Sequence, residues 1–212
     1  MDRFSSYLDK LQEESRLRKI PHPNQSLIDL VSNDYLGLGK RYDEFTGEFM
    51  ERYGDAGFSS SASRLLSREQ KYHNLLEETL GKLYCRDILL FNSGYQANVG
   101  VLSALASPDT LIISDSLMHA SAIDGMMLGK GFEKVKVEKW QHNDLSHLEV
   151  LLEDNGSNYT DVIIVTESIF SMDGDKSPLH DIVKLKKRCS PLWTQLCSCC
   201  TSSVYSYIKF IF

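Results

Sequence analysis

Apolar and polar positions follow two different patterns along most of this chain. Short apolar runs of strand length lie at 87–91, 110–114, 135–138 and 162–166. Longer, helix-like stretches lie at 68–83, 95–106, 121–128, 145–153 and 179–188. Because strands that alternate with helices indicate crossover connections, we predict an α/β fold with a mostly parallel sheet flanked by helices.

The part of the chain before residue 68 is less regular. Residues 1–19 predict a polar amphipathic helix with Phe4, Leu8 and Leu11 on one face, and Pro21 and Pro23 would end it. The remaining predicted segments are a short strand at 27–31, a helix at 41–53 and a stretch rich in glycine and serine at 54–63.

After Arg188 the pattern changes abruptly. The last residues contain no acidic side chain, and four of the five cysteines of the chain lie at 189–200. Their C-x7-C-x-C-C spacing lacks the paired C-x2-C of structural zinc sites, so we predict no metal, with a zinc-binding tail as the alternative. The stretch 204–212 is apolar and β-prone. A shift of reading frame near Cys189 would produce such a tail, and we expect 189–212 to be aberrant.

Composition restricts the partners. A formal net charge of −6 disfavours nucleic acids and anionic membrane surfaces. No apolar run reaches the roughly 20 residues of a membrane helix, and the charged N-terminus lacks the apolar core of a secretory signal. A cytoplasmic location is the resulting expectation.

A glycine-containing turn offers the first candidate for chemistry. Ser93, Gly94 and Tyr95 follow the first predicted strand, and a helix begins at once. Unpaired N–H groups at a helix N-terminus favour an anion, and Gly94 would let the backbone approach a phosphate closely. An ordinary strand-to-helix turn explains the same residues, and both interpretations stay open.

Two further segments carry groups suited to acid–base chemistry at the same sheet edge. His119 follows the second predicted strand, where its flat ring could stack on a planar cofactor; a solvated residue at a helix start is the alternative. Glu167 and nearby hydroxyls follow the fourth predicted strand, with turn formation and capping as the alternative. Together the three segments suit an aromatic phosphate cofactor, and pyridoxal 5'-phosphate (PLP) fits that description.

Six motifs resemble those of the α-oxoamine synthase family, whose members are PLP-dependent enzymes of fold type I. The motifs are SNDYLGL at 32–38, SSSASRLLS at 59–67, FNSGYQAN at 91–98, SDSLMHAS at 114–121, HND at 142–144 and TESIFSMDGD at 166–175. Their order and approximate spacing also resemble the family pattern.

The resemblance implies cofactor-binding roles for five residues. Backbone amides of Ser93, Gly94 and Tyr95 would hold the PLP phosphate. His119 would stack on the pyridine ring, and Ser171 would approach the ring hydroxyl.

It also implies a catalytic role for His119 and Glu167, with Asn33 shaping the substrate side of the pocket. The implied reaction is an acyl transfer in which an amino acid condenses with an acyl thioester and CO2 is lost, catalysed by a homodimer. Another family member with different substrates, or a non-catalytic remnant, remains an alternative.

Later family motifs are missing from the sequence. Asp-x-Ala-His does not occur, and no Thr-x-x-Lys follows residue 175, where the family carries its Schiff-base lysine; Lys130 is expected to be a solvated lysine. The resemblance therefore implies an incomplete large domain of fold type I, truncated after about its fourth strand, that is inactive by itself. The expected divisions are a helix and arm of the small domain at 1–40, the first part of the PLP-binding large domain at 41–188, and the tail at 189–212.

Overall fold

The computed structural model describes residues 3–20, 22, 28, 32–54, 62–67 and 70–189, together with the backbone of 195–199 and 208–211. The chain divides into two compact units, residues 1–32 and residues 33–212.

The first unit contains one helix, α1, Arg3–Glu13. It ends earlier than the predicted 1–19 because Ser15 adopts a left-handed backbone with a φ of 55°. The backbone N–H groups of Arg16 and Leu17 both turn back to the carbonyl of Leu11 and close the last turn. Pro21, Pro23 and all but one residue of the predicted strand at 27–31 lie outside the described residues.

Three parallel strands form the centre of the second unit. They are β1, Thr110–Asp115; β2, Lys136–Trp140; and β3, Asp161–Glu167. β1 lies between the other two, and its Ile112 is opposite both Val137 and Ile163. Because the three strands run in parallel, the segments after Asp115, Trp140 and Glu167 leave the sheet at the same edge.

Helices cover both faces of this sheet. On one face lie α4, Gly94–Ala104, and α5, Ala120–Phe132; on the other lie α6, Leu145–Asn155, and α7, Leu179–Cys189. Successive side chains of a strand point to opposite faces, so Ile112 packs toward α4 and α5 while Leu111 and Ile113 pack toward α6 and α7. Burial on both faces explains the continuous apolar runs of β1 and β3.

Helices α4 and α5 approach each other closely because small residues line the face of α5 that meets α4. A Cβ on Gly125 would lie 2.8 Å from the carbonyl oxygen of Asn98 and 3.0 Å from Leu102 Cβ. A Cβ on Gly129 would lie 2.6 Å from Ala106 Cβ. Side chains at either glycine would push the two helices apart.

Two more helices precede the sheet and bury none of their residues. They are α2, Tyr42–Tyr53, which follows a short 3-10 helix at Leu38–Arg41, and α3, Lys71–Tyr84. Phe49, Tyr53 and Tyr72 join them in an aromatic cluster.

The strand predicted at 87–91 is wrong. Among the described residues no strand pairs with it, and Leu89 is 64% exposed. Its Leu90 N–H donates to Glu77 Oε1 of α3 over 2.8 Å instead of to a neighbouring strand. An apolar run indicates burial, but a strand also needs a partner at the right place.

Two strands lie in the stretch 189–212, which the sequence predicts to be an aberrant tail. β4, Gln195–Cys199, pairs in parallel with β3, and β5, Ile208–Ile211, pairs antiparallel with β4. The division of the chain into 1–40, 41–188 and 189–212 stays a prediction. None of the described helices is both long and apolar enough to cross a membrane.

Candidate functional site

The N-terminus of α4 presents free backbone donors. Ser93 caps the helix from an extended conformation, and its Oγ accepts the N–H of Gln96 over 3.2 Å. The N–H groups of Gly94 and Tyr95 have no acceptor within the described part of the chain, as is usual for a first turn. These donors and the helix dipole suit an anion.

Tyr95 connects this helix end to the start of α5. Its half-exposed ring lies edge-on to the imidazole of His119, with 6.3 Å between ring centroids and 79° between ring planes. Its hydroxyl donates to the carboxylate of Asp124, and chiefly this hydrogen bond, with smaller effects of burial and charge, raises the pKa of Tyr95 above its ordinary value.

His119 is the N-cap residue of α5 and is half-buried. Its Nδ1 accepts the backbone N–H of Ser121 over 3.2 Å and lies 2.7 Å from Ser121 Oγ. The backbone N–H of His119 donates to Glu167 Oε1 over 2.7 Å. Glu167, at the end of β3, is 1% exposed, so a buried carboxylate fixes the backbone that carries the imidazole.

Three of the predicted site residues are therefore brought together, as their positions after parallel strands and at helix starts predict. The Tyr95 and His119 rings are in contact, and Glu167 holds the backbone of His119. Ser93 and Gly94 adjoin them at the start of α4.

Two other predicted site residues, Ser171 and Asn33, are exposed. Ser171 is exposed in the turn after β3, where the backbone N–H of Phe170 donates to the carbonyl oxygen of Asp175 over 2.9 Å. Asn33 is exposed beside Asp34, whose carboxylate accepts the N–H groups of Leu38 and Gly39. In the part of the chain that the structure describes, no hydrogen bond or ion pair joins either residue to Ser93, His119 or Glu167.

Sequence analysis missed a second polar cluster at the same edge. Asp115, the buried last residue of β1, accepts the N–H of Leu117 over 2.9 Å and that of Asn143 over 3.2 Å. Its Oδ1 also lies 2.9 Å from His142 Nδ1. The motif HND was noted as a family signature, but its position directly after a strand also indicated this role.

The other nitrogen of His142 reaches the turn after β3. Nε2 lies 2.8 Å from Asp175 Oδ2, and Asn143 Nδ2 donates to the same oxygen over 2.6 Å. The Phe170 ring packs edge-on against the imidazole at 4.4 Å. Burial lowers the pKa of His142, but hydrogen bonds and charges of Asp115 and Asp175 outweigh it, so the pKa lies above its ordinary value.

This geometry is that of a bridge and not of a metal centre. Both ring nitrogens of His142 are engaged by carboxylates, and within the described residues no group of three or more His, Cys, Asp or Glu side chains is arranged to hold a metal ion. The side chains of Cys197, Cys199 and Cys200 lie outside the described residues.

Comparison with known proteins identifies the family to which this chain is related. The sequence pattern of the aminotransferase class I and II family matches residues 25–193. The chain belongs to the aminotransferase class I and II family.

Curated relatives narrow the relationship within this family. A protein of Haemophilus influenzae, provisionally named 8-amino-7-oxononanoate synthase, is 39% identical over 201 residues, covering 89% of this chain and 52% of the relative. A protein of Glaesserella parasuis with the same provisional name is 41% identical over 201 residues, covering 89% and 51%. This aminotransferase-family chain thus spans about half the length of the curated relatives it matches.

Solved structures agree with this assignment. Serine palmitoyltransferase from Sphingomonas wittichii shares the fold with a TM-score of 0.70 and 23% identity over 93% of this chain and 52% of that protein. The 8-amino-7-oxononanoate synthase from Francisella tularensis matches with a TM-score of 0.57 and 25% identity over 76% of this chain and 43% of that protein. The resemblance to α-oxoamine synthases and the type I fold class are confirmed.

The donor groups present in this family member fit two parts of PLP. The free N–H groups at the start of α4 suit the phosphate, and the flat ring of His119 suits the aromatic ring. Lys130 is exposed and stands 11 residues after His119 in the sequence, roughly 16 Å along α5, so it does not reach this group.

Proposed function

We propose that this chain forms the phosphate- and ring-binding part of a PLP site in an acyltransferase of the 8-amino-7-oxononanoate synthase type. The observation that carries the proposal is the meeting of the α4 N-terminus, the His119 ring and the buried Glu167 at one sheet edge. The relatives at 38–41% identity support the same type.

When bound, PLP supplies the electron sink for the condensation of an amino acid with an acyl thioester. The role of the chain's own residues is to bind PLP and to orient it. The N–H groups of Gly94 and Tyr95 hold a phosphate, and His119 presents its flat face to an aromatic ring. Glu167 keeps the His119 backbone in place.

Ser171 and Asn33 complete the proposed site. Both are exposed, so each is accessible to a ligand, Ser171 for the ring hydroxyl and Asn33 for the substrate side.

The proposed substrates are L-alanine and a pimeloyl thioester, as in biotin biosynthesis. The motif around Ser93 supports this choice, because glycine C-acetyltransferases tend to carry Cys at that position. Glycine C-acetyltransferase activity, or a chain that binds without catalysing, remains the alternative. A homodimer and a cytoplasmic location belong to the same proposal.

A PLP titration of the purified chain tests the phosphate site. We expect Gly94→Asp to weaken PLP binding at least about tenfold, because a carboxylate would stand beside the phosphate. The matched control is Gly131→Asp, which adds the same charge at an α5 glycine with no atom within 4 Å of an added Cβ. Equal affinities for the two variants, measured by equilibrium dialysis, would contradict the proposal.

A further inference from the structure

A buried pair of polar side chains lies behind the imidazole of His119. Asn98 of α4 is 4% exposed and Ser121 of α5 is 0% exposed. Asn98 Nδ2 donates to Ser121 Oγ over 2.8 Å, and the same Oγ lies 2.7 Å from His119 Nδ1. Neither Asn98 nor Ser121 has a role in the site as proposed above.

The chemistry of the groups fixes the direction of each hydrogen bond. The backbone N–H of Ser121 can only donate, and it points to His119 Nδ1 over 3.2 Å, so Nδ1 must accept. Ser121 Oγ accepts a hydrogen bond from Asn98, so its own hydroxyl proton is available to donate a hydrogen bond to Nδ1 as well. A neutral imidazole has one ring proton, which therefore resides on Nε2.

Helix packing holds this arrangement together. Gly125 lies four residues after Ser121 on the same face of α5, and a Cβ there would lie 2.8 Å from the carbonyl oxygen of Asn98. The absence of a side chain at Gly125 lets α5 come near enough to α4 for the Asn98–Ser121 hydrogen bond to form.

We infer that Asn98 and Ser121 are positioning residues that fix the tautomer and the orientation of His119. Nδ1 faces the two donors, and no described residue engages Nε2, so the Nε2–H group is left for a ligand. The benefit of this orientation for cofactor stacking rests on the proposed function, whereas the tautomer itself does not.

The tautomer is measured without cofactor. In the full chain labelled with 15N in its histidine rings, two-bond 15N–1H correlations at pH 8.5 report which nitrogen carries the proton. The His119 signals are assigned by their loss in His119→Asn. We expect the proton on Nε2 alone, in contrast to the mixture of tautomers that free histidine shows under the same conditions. A proton on Nδ1, or the same mixture at His119, would overturn the inference.

Variants show which groups are responsible. Asn98→Asp replaces the donor by an acceptor, so the Ser121 hydroxyl turns toward it and the Nδ1–H population of His119 should rise. Ser121→Ala removes the hydroxyl at 2.7 Å but keeps the backbone N–H at 3.2 Å, so the Nδ1–H population should rise only part of the way toward the free mixture. Ser103→Ala is the control, since among the described residues its hydroxyl bonds only to Gly100 O, over 3.1 Å. If Asn98→Asp does not fold, Ser121→Ala decides alone, and spectra like wild type would mean that the backbone N–H suffices and would overturn the positioning role of the two side chains.

A PLP titration then separates this inference from the proposed function. Ser121→Ala should weaken PLP binding roughly two- to tenfold, the effect of one hydrogen bond, and Ser103→Ala should not. Failure of the wild-type chain to bind PLP would contradict the proposed function and leave the tautomer result intact. Unchanged affinity in Ser121→Ala, with normal wild-type binding, would overturn the positioning role.

Discussion

Two histidines of this chain are held by opposite kinds of groups. The anchors of His119 are neutral donors, the N–H and the hydroxyl of Ser121, and both act on Nδ1. The anchors of His142 are the carboxylates of Asp115 and Asp175, one on each ring nitrogen. An imidazole with one uncommitted nitrogen can serve a ligand, whereas an imidazole engaged on both sides connects parts of the fold.

The elements that the two histidines connect differ as well. His119 starts α5 and depends on the contact between α4 and α5. His142 joins the end of β1 to the turn after β3, two segments distant in sequence. We therefore expect changes near His119 to affect ligand binding and changes near His142 to affect stability.

The largest effect is expected from disturbing the α4–α5 contact behind His119. Gly125→Val should lower the free energy of unfolding by about 3 kcal/mol, because the new side chain meets backbone and Leu102. Gly131→Val in the same helix meets no atom within 4 Å of its Cβ and should cost well under half as much. Urea denaturation measures both, and similar losses would mean that the helices have room to separate.

Removal of each imidazole should show that the region around His119 serves ligand binding and the region around His142 serves stability. His142→Ala should cost about 2–3 kcal/mol, because Asp115 is buried and loses a hydrogen-bonding partner. His119→Ala removes a helix cap and should cost about 1 kcal/mol, yet it should weaken PLP binding more than His142→Ala does. Denaturation and PLP titration of both variants check the comparison, and the reverse order in either assay would break it.

The smallest expected effect is the contribution of His142 to the pH dependence of stability. Its pKa is raised in the folded chain, so its stabilising contribution is complete below the unfolded value of about 6.5 and is lost as the pH rises through the raised value. The stability difference between wild type and His142→Gln should therefore shrink from pH 6 toward pH 9. Urea midpoints across this range measure it, and a difference that grows with pH would refute the assignment.

Sequence patterns predicted the parts of the fold whose burial is continuous. β1 and β3 are apolar along their length because helices cover both faces, and their bounds were predicted within one residue. The run at 87–91 has the same composition, but strand formation depends on a distant partner that a local pattern does not reveal.

The candidate site was predictable to a similar extent. Residues that follow parallel strands meet at one edge, which was enough to bring His119 and Glu167 together. The bridge at His142 was not predicted, because its partners are 27 and 33 residues away and carboxylates after strands are common as turn residues. Ser171 and Asn33 were assigned from the family resemblance alone.

The small-residue face of α5 has a consequence for the alignment of the two helices. Ser121, Gly125 and Gly129 repeat every four residues, and so do Asn98 and Leu102 on α4 and Ala106 just after its end. A slide of α5 by one turn, roughly 5.4 Å, would bring Ser121 or Glu133 to a place where a glycine now stands, and its Cβ would collide with the facing segment. The observed alignment also forms the hydrogen bond between Asn98 and Ser121, which such a slide would break. The two glycines and one hydrogen bond thus select a single registry for the interface and set where along α4 the imidazole of His119 stands.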